Sequence, residues 1–521
     1  MTIDIDTVRP TTTAPPAGAG ARARVPARRT GRWIDRWDPE DPDFWEVEGR
    51  RVARRNLAWS IFAEHLGFSV WLLWSVTATF LVSAGFDFTP QQLFWLVAAP
   101  NLVGALIRLP YTFAVPRFGA RNWTVVSALL LVVPTGLFAY VVQRPDTPYW
   151  VFMLVAATAG VGGGNFASSM ASINFFYPAS RKGAALGLNA AGGNLGVSLV
   201  QLFLPVIVGG AGLFGLVAAS GSLHLERAAY LWGGLALVAA AGAFFFMNNL
   251  SVARSRPREQ LRVVRYRHTW IMAFLYIGTF GSFIGFSAAM PLLIKINFFD
   301  QPTPDVVGIG INVASFAFLG ALVGSITRPF GGWLADRFGG ARVTVASFAL
   351  MTAGTLVVLF TLTRLTPVPK VDPTTVDPAT FTFPDAVTSA VEANEQTFWF
   401  FLAAFLFVFA ASGMGNGSTY RMIPIIWKVR AEQAGPEGSP ERNRALLQST
   451  REASAVLGIV GAVGAVGGFL IPMTFGAPWI DDPVSAVRTA FAIFAGFYVV
   501  CLVVTYLVYM RPGSPMARAR V

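Results

Sequence analysis

Charge is scarce in this chain and cysteine almost absent. Only 13% of its 521 residues are Asp, Glu, Lys or Arg, about half the share usual in soluble domains. That deficit, beside 54% apolar residues, excludes a soluble enzyme, because too few polar groups remain to cover a domain surface. The single cysteine, Cys501, excludes an intramolecular disulfide and a cysteine-based metal site. Three histidines, His65, His224 and His268, lie too far apart to suggest a zinc cluster. No Ser/His/Asp grouping, metal-ligand spacing or phosphate loop stands out, so no catalytic residue, metal or cofactor is expected. No apolar core segment precedes residue 57, so membrane entry is expected to use the first spanning helix. The net charge of +12 does not indicate a nucleic-acid partner, since the arginines fall in short clusters between apolar runs.

What is present is a succession of apolar stretches, each near the ~20 residues that cross a bilayer. They predict an all-α membrane protein with twelve helices near 57–81, 92–115, 122–142, 150–176, 184–208, 229–247, 270–296, 305–334, 343–363, 397–427, 451–475 and 486–510. Basic residues resist translocation and mark the cytoplasmic side. Of the 40, 31 fall in the two terminal segments and in the connections on their side, against only Arg144, Arg227, Arg364 and Lys370 opposite. Both termini are therefore expected in the cytoplasm of a multi-pass inner (cytoplasmic) membrane protein in contact with lipid. The expected organisation is a cytoplasmic tail at 1–56, a six-helix half at 57–247, a basic linker at 248–269, a second half at 270–510 and a short tail at 511–521. The first thirty residues, rich in Thr, Ala, Pro and Arg, read as disordered. The following stretch with Trp33, Trp37, Phe44 and Trp45 either lies along the membrane surface or forms an ordered linker. Residues 364–396 read as an exposed, extended outer connection.

The halves repeat one another. GALIRLPYTFAVPRFGAR and GSITRPFGGWLADRFGGAR align Gly104/Gly324, Arg108/Arg328, Arg117/Arg337, Phe118/Phe338 and Gly119/Gly339 at one offset of 220 residues. Repeated six-helix halves with sites near the midplane are an architecture of secondary transporters. Arg108 and Arg328 stand roughly 12 Å inside their helices at helical rise, where each costs at least about 2.5–3.5 kcal/mol. Neither has an acidic residue three or four positions away. Either they snorkel or bond backbone carbonyls near Pro110 and Pro329, or they form a fixed double positive charge whose natural occupant is a small anion. Asp336 and Arg337, at the end of helix eight, are expected to bridge helix ends in a structural or gating role. Val115 and Pro116 replace that acid in the first half.

Helices four, five and eleven are dense in glycine, which suits close packing and sliding. Of Asn165, Asn174, Asn189 and Asn194, at least one is expected to face the cavity. Glu64 and His65 lie about 10–12 Å inside helix one at helical rise. They are candidates for proton coupling, unless Glu64 pairs with an arginine at the helix end and His65 bonds a neighbouring helix.

GGGNFASSMASINFFYP, GLNAAGGNLGV, GTFGSFIGFSAAMP and GSITRPFGGWLADRFGGARVT together resemble the nitrate/nitrite porter family of the NarK type, within the major facilitator superfamily. The similarity runs from about Leu57 to Met510. It implies that Arg108 and Arg328 clamp the anion from opposite halves and that Asn194 lies near the substrate. It also implies that Tyr276, Phe280 and Phe166 form aromatic walls, and that Gly458 to Phe469 is a second signature. Tyr276 and Phe280 are spaced i, i+4 and share a helical face. The implied activity is alternating-access transport of nitrate, nitrite or both, with nitrate, nitrite and protons as partners and a monomer as the functional unit. Nitrate/proton symport and nitrate/nitrite antiport both fit; a transporter or channel for another small monovalent anion is the alternative. A cation exporter would need buried carboxylates in its cavity, and a sugar porter a neutral one.

Overall fold

The computed structural model describes residues 29–210, 216–218, 220, 222–254, 261–513, 515–519 and 521. Twelve helices among them are long and apolar enough to cross a membrane: α1 Pro42–Phe80, α2 Pro90–Phe118, α3 Ala120–Val142, α4 Tyr149–Phe176, α5 Ser180–Ile207, α6 Glu226–Phe246, α7 Arg267–Phe298, α8 Val313–Phe338, α9 Gly340–Thr363, α10 Asp385–Glu432, α11 Pro440–Phe475 and α12 Pro483–Met510. Local chemistry sets several starts. Thr89 and Gln92 form a reciprocal capping box at α2. Asn312, Ser439 and Asp482 cap the first amides of α8, α11 and α12. Gly119 (φ 88°) and Gly339 (φ 94°) make the α2–α3 and α8–α9 turns in the left-handed region that other residues avoid.

Four helix starts differ from the sequence expectation: α8 begins at Val313 rather than 305 and α11 at Pro440 rather than 451, and α1 and α10 begin early as well. α1 begins at Pro42 rather than near 57, because Asp41 accepts hydrogen bonds from the amides of Asp43 and Phe44 and the next turns bury Trp45, Val52 and Ala53. α10 begins at Asp385 rather than 397, so the extended outer connection ends at 384. Its first turns are polar but bury Val387, Val391, Asn394 and Phe398 at helical spacing, a pattern that average hydropathy hides.

The segment before α1 is ordered from Arg29 and packs onto the first half; the expected disorder of residues 1–28 lies outside the described residues, as do 255–260 of the basic linker. Strands β1 (Arg29–Thr30) and β2 (Trp33–Ile34) pair antiparallel, and β2 pairs in parallel with β3 (Asn249–Leu250), which follows α6. Trp37 donates its indole N–H to the Phe175 carbonyl at 3.0 Å and meets Phe176 edge-on; Trp45 lies against Tyr177. The tryptophans therefore anchor a brace under the ends of α4 and α5. On the other side, β4 (Phe299–Asp300) pairs with β5 (Ile309–Gly310).

The repeat extends to the capping of α3 and α9. The amide of Arg121 donates to the Asn249 side chain at 2.9 Å, and that of Ala341, 220 positions later, to the Val521 carbonyl at 2.7 Å. Each acceptor comes from chain that follows the sixth helix of its half.

The halves are sealed on the side away from the basic clusters. Lys295 of α7 donates to the Thr79 carbonyl of α1 (2.6 Å), Trp95 of α2 to Gly476 (3.1 Å), and Gln201 of α5 to Ser287 of α7 (2.7 Å). Phe94 packs on Phe475 at 5.7 Å. On the basic side α4 and α11 meet through the Asn174 amide donating to the Ser454 hydroxyl at 3.1 Å. Replacing Trp37 with Ala removes a buried ring and its hydrogen bond, a loss of about 3–5 kcal/mol for a core Trp. A lowered Tm of the purified protein in detergent is the expected result, and an unchanged Tm would show that the brace adds no stability.

Candidate functional site

Glycine brings the helices of the centre together. In α4 the run Ala159–Gly164 tightens to three residues per turn, and an added Cβ on Gly162 would sit 2.1 Å from the Gly67 carbonyl oxygen. Gly163 would meet Gly104 and Trp71. The glycines one turn before the repeated arginines have matching tasks. Gly104 leaves room for Trp71 of α1, and Gly324 for Phe283 of α7. Tyr276 immediately precedes a widened turn in α7 at Ile277–Gly281 that contains Phe280, and Gly281 in that turn touches Gly464 and Gly467 of α11.

Arg108 is fully buried, and Arg328 is 5% exposed. Arg108 Nε donates to the Gly163 carbonyl of α4 and Nη1 to the Gly461 carbonyl of α11, both at 2.9 Å. Its guanidinium lies 5.1 Å from the Trp71 ring centre, 5.0 Å from Phe166 and 4.7 Å from Phe280. Arg328 Nη2 donates to the Tyr276 hydroxyl at 3.3 Å, and its guanidinium lies 5.2 Å from Phe166, 5.6 Å from Tyr420 and 6.0 Å from Phe280. Phe166 and Phe280 stack at 6.0 Å, and Tyr276 stacks on Phe280 at 5.3 Å. Both cations thus share one aromatic pair. Arg108 Nη2 and Arg328 Nη1 are buried and have no hydrogen-bond partner among the described residues. The carbonyls that Arg108 bonds belong to α4 and α11 rather than to a helix break at Pro110, and a buried nitrogen of each guanidinium keeps no partner among the described residues.

Beside Arg108 lies a cavity of about 30 Å³, walled by Phe166, Met170, Tyr420, Gly458 and Gly461 and reaching toward Asn174 and Ser454 on the basic side. Roughly 10–15 Å³ suffices for one water, so this is space for a small ligand. Arg328, Tyr276, Phe280 and Asn194 are outside its lining; the first three join it through Phe166 and Tyr420. Asn194 is fully buried, and neither amide atom has a partner among the described residues. It shares a helical face with Ser198 and Gln201, which donate to Phe318 of α8 and Ser287 of α7. Of the other asparagines, Asn174 lines the cavity, whereas Asn165 donates to the Ala63 carbonyl at 3.2 Å.

Glu64 is buried away from the helix-end arginines; no ion pair holds it among the described residues. Its Oε2 accepts from the Asn189 amide at 2.6 Å and from the Ser169 hydroxyl. Oε1 has no partner among the described residues, and Gly193 makes the space it occupies. His65 Nδ1 lies 3.1 Å from the Gly192 carbonyl, so that nitrogen carries the proton. Several glycines of the GGNLG stretch therefore accommodate α1. Asp336 pairs with Arg421 of α10, while Arg337 lies over the rings of Phe338 (5.6 Å) and Trp333 (5.9 Å). Trp71 and Tyr420 escape sequence reasoning, because their contacts with the arginines come from other helices; Gly461 falls within the Gly458–Phe469 signature, but nothing in the sequence pairs it with Arg108.

Residues 65–435 match the family model described as Major Facilitator Superfamily. The chain is 39% identical to the nitrate/nitrite transporter NarU of Salmonella typhimurium, covering 91% of this chain and 96% of the relative. It is 37% identical to a protein named as a probable nitrate/nitrite antiporter, NarK2, of Thermus thermophilus, covering 78% and 85%. Among solved structures, a D-xylose–proton symporter is similar in fold, with TM-score 0.57 at 14% identity over 90% of this chain and 99% of that one.

Close backbone approach positions Arg328, since a Cβ on Gly417 of α10 would lie 2.1 Å from the Arg328 carbonyl oxygen. A Cβ on Gly461 would find its nearest atoms 3.9 Å away. Gly417→Ala is expected to destabilise by about 1–3 kcal/mol through overpacking, and Gly461→Ala to be neutral or to stabilise by up to about 1 kcal/mol through the higher helix propensity of alanine. Thermal unfolding in detergent checks this; equal losses would contradict it.

Proposed function

We propose that this chain, which belongs to the nitrate/nitrite porters of the Major Facilitator Superfamily, moves nitrate, nitrite or both across the cytoplasmic membrane by alternating access. It is a transporter rather than an enzyme, and its twelve apolar helices make it a multi-pass membrane protein. The observation that carries the reading is the pair of buried guanidiniums, each with an unpartnered N–H donor, facing the same two rings. Nitrate and nitrite are planar, delocalised monoanions. Guanidinium donors hold such oxygens in a plane, and the rings limit the height of the space. Sulfate or phosphate brings more charge and hydration, which this apolar setting penalises.

The proposed orientation places both termini in the cytoplasm, following the basic residues. The cavity beside Arg108 then opens inward and the seal at Lys295 and Trp95 faces outward. The unit of transport is a monomer, because both arginines and the five rings around them, Trp71, Phe166, Tyr276, Phe280 and Tyr420, belong to one chain.

Moving one anion inward against 100 mV costs about 2.3 kcal/mol. Exchange of nitrate for nitrite avoids that cost; symport with two or more protons overcomes it. Glu64 is the candidate coupling group, with His65 beside it in sequence. Ser169, which bonds Glu64, lies one turn from Phe166 on α4, and its hydroxyl is also 3.1 Å from the Phe166 carbonyl; its single proton is shared between the two acceptors, so the state of the carboxyl is linked to the segment that carries the aromatic wall.

Nitrate counterflow into nitrite-loaded proteoliposomes tests the function. Arg108→Lys or Arg328→Lys is expected to cut it at least about tenfold, as losing one charge-assisted bond of about 1.5–3 kcal/mol implies; near-normal affinity would reject the clamp. Glu64→Gln is expected to weaken uptake driven by a pH gradient while exchange persists. Unaltered gradient-driven uptake in that variant would remove Glu64 from the mechanism.

A further inference from the structure

The outer seal contains a cation that the central site does not use. Lys295, near the outer end of α7, donates through Nζ to the Thr79 carbonyl of α1. The two residues lie in opposite halves, so any opening of the outer side separates them. No carboxylate lies within ion-pair distance of Lys295 among the described residues. Its ammonium is half-buried and satisfied by that contact alone among them. Once the seal parts, an uncompensated positive charge is left at the mouth of the outer vestibule.

The surroundings give that charge a task. The outer connections 81–89, 143–148, 208–225, 299–312, 364–384 and 476–482 carry eight carboxylates and three basic residues. An anion approaching from outside therefore meets a repulsive face. Arg108 and Arg328 cannot offset it from where they stand. From Phe280, beside both arginines, to Lys295 is roughly 22 Å along α7 at helical rise, well beyond the ~8 Å screening length of physiological salt. A lysine also suits capture followed by release, since it is a compact, hydrated point charge rather than a planar fork.

Resting on the anion-transport reading above, we propose that Lys295 is a transient anion-binding residue of the outer vestibule: as the outer gate opens, its ammonium leaves the Thr79 carbonyl and receives the incoming monoanion before the anion reaches the arginines. Closing restores the Thr79 contact and displaces the anion inward, so one side chain both seals the gate and collects the substrate.

The test is nitrate counterflow in right-side-out and inside-out membrane vesicles loaded with nitrite. Lys295→Gln is expected to raise the outer-face KM about tenfold at low salt, the scale of electrostatic steering. The inner-face KM should stay unchanged, and the outer difference should shrink as salt is added. Lys295→Arg should keep the outer KM near wild type, and Lys295→Met provides a second neutral variant should the Gln variant not reach the membrane. An unshifted outer KM overturns the proposal, and so does an equal, salt-independent shift at both faces, which would make Lys295 a latch only. Absence of counterflow in the wild type overturns the transport reading itself, whereas wild-type counterflow with an unshifted neutral variant overturns this inference alone.

Discussion

Two arginines buried at the junction of the halves, with no carboxylate in ion-pair contact with either among the described residues, dictate much of what surrounds them. An ion pair would satisfy a guanidinium but would also occupy the donors an anion needs. Here Arg108 gives two of its N–H groups to carbonyls of Gly163 and Gly461, and Arg328 gives one to a tyrosine hydroxyl. The negative faces of Trp71, Phe166, Phe280 and Tyr420 supply the rest. Rings and carbonyls stabilise a cation without cancelling its charge. The arrangement therefore holds both cations while leaving the N–H donors that the proposed anion site requires.

The glycines follow from the same requirement. Gly163 can offer its carbonyl to Arg108 because the tightened run in α4 lets that helix lie against α1 and α2 at backbone contact. Gly461 does the same from α11, which makes the Arg108 bond a link between the halves. Gly104 and Gly324, one turn before the arginines, admit Trp71 and Phe283. A repeated Gly–Arg spacing is thus a repeated piece of geometry. The ends of the halves on the side of the basic clusters are less alike. In the second half Asp336 of α8 pairs with Arg421 of α10. In the first half, which lacks that acid, the α2–α3 turn at Gly119 is packed by Asn249 and Trp33. The tail brace and the linker strand thus support the turn where the first half has no ion pair.

The sequence discloses most where a single residue contradicts its own surroundings. Arg108 and Arg328 stand out because apolar helices tolerate arginine poorly, and their common offset marks them as a pair. The twelve helices and the bias of basic residues are legible for the same reason, since the bilayer imposes simple rules on each segment alone. What escapes is whatever depends on two segments at once. Tyr420 looks like any aromatic of α10 until Gly413 and Gly417 bring that helix onto the backbone of α8. Trp37 reads equally well as a membrane-surface residue until its indole meets Phe175, 138 positions away. The first turns of α10 are missed because their buried residues are diluted by polar ones.

Glu64 brings the charges of the centre into one account. It shares an electrostatic environment with both arginines without touching either, and its bonds to Ser169 and Asn189 tie it to α4 and α5. With Glu64 ionised and no anion bound, the group carries one net positive charge. With Glu64 protonated and a monoanion bound, it carries one again. These two states place the same charge in a low-dielectric centre, so the desolvation that opposes movement is similar in both. The other two combinations differ from them by a unit charge in opposite directions. In the proposed coupling, the carboxylate therefore stands in for the absent anion, and the proton removes it when the anion arrives. A second proton, where symport requires one, must be carried elsewhere, and a carrier in which Glu64 stays in one protonation state returns most readily with an anion aboard. Symport and exchange then differ in whether one carboxyl in the first half titrates during the cycle.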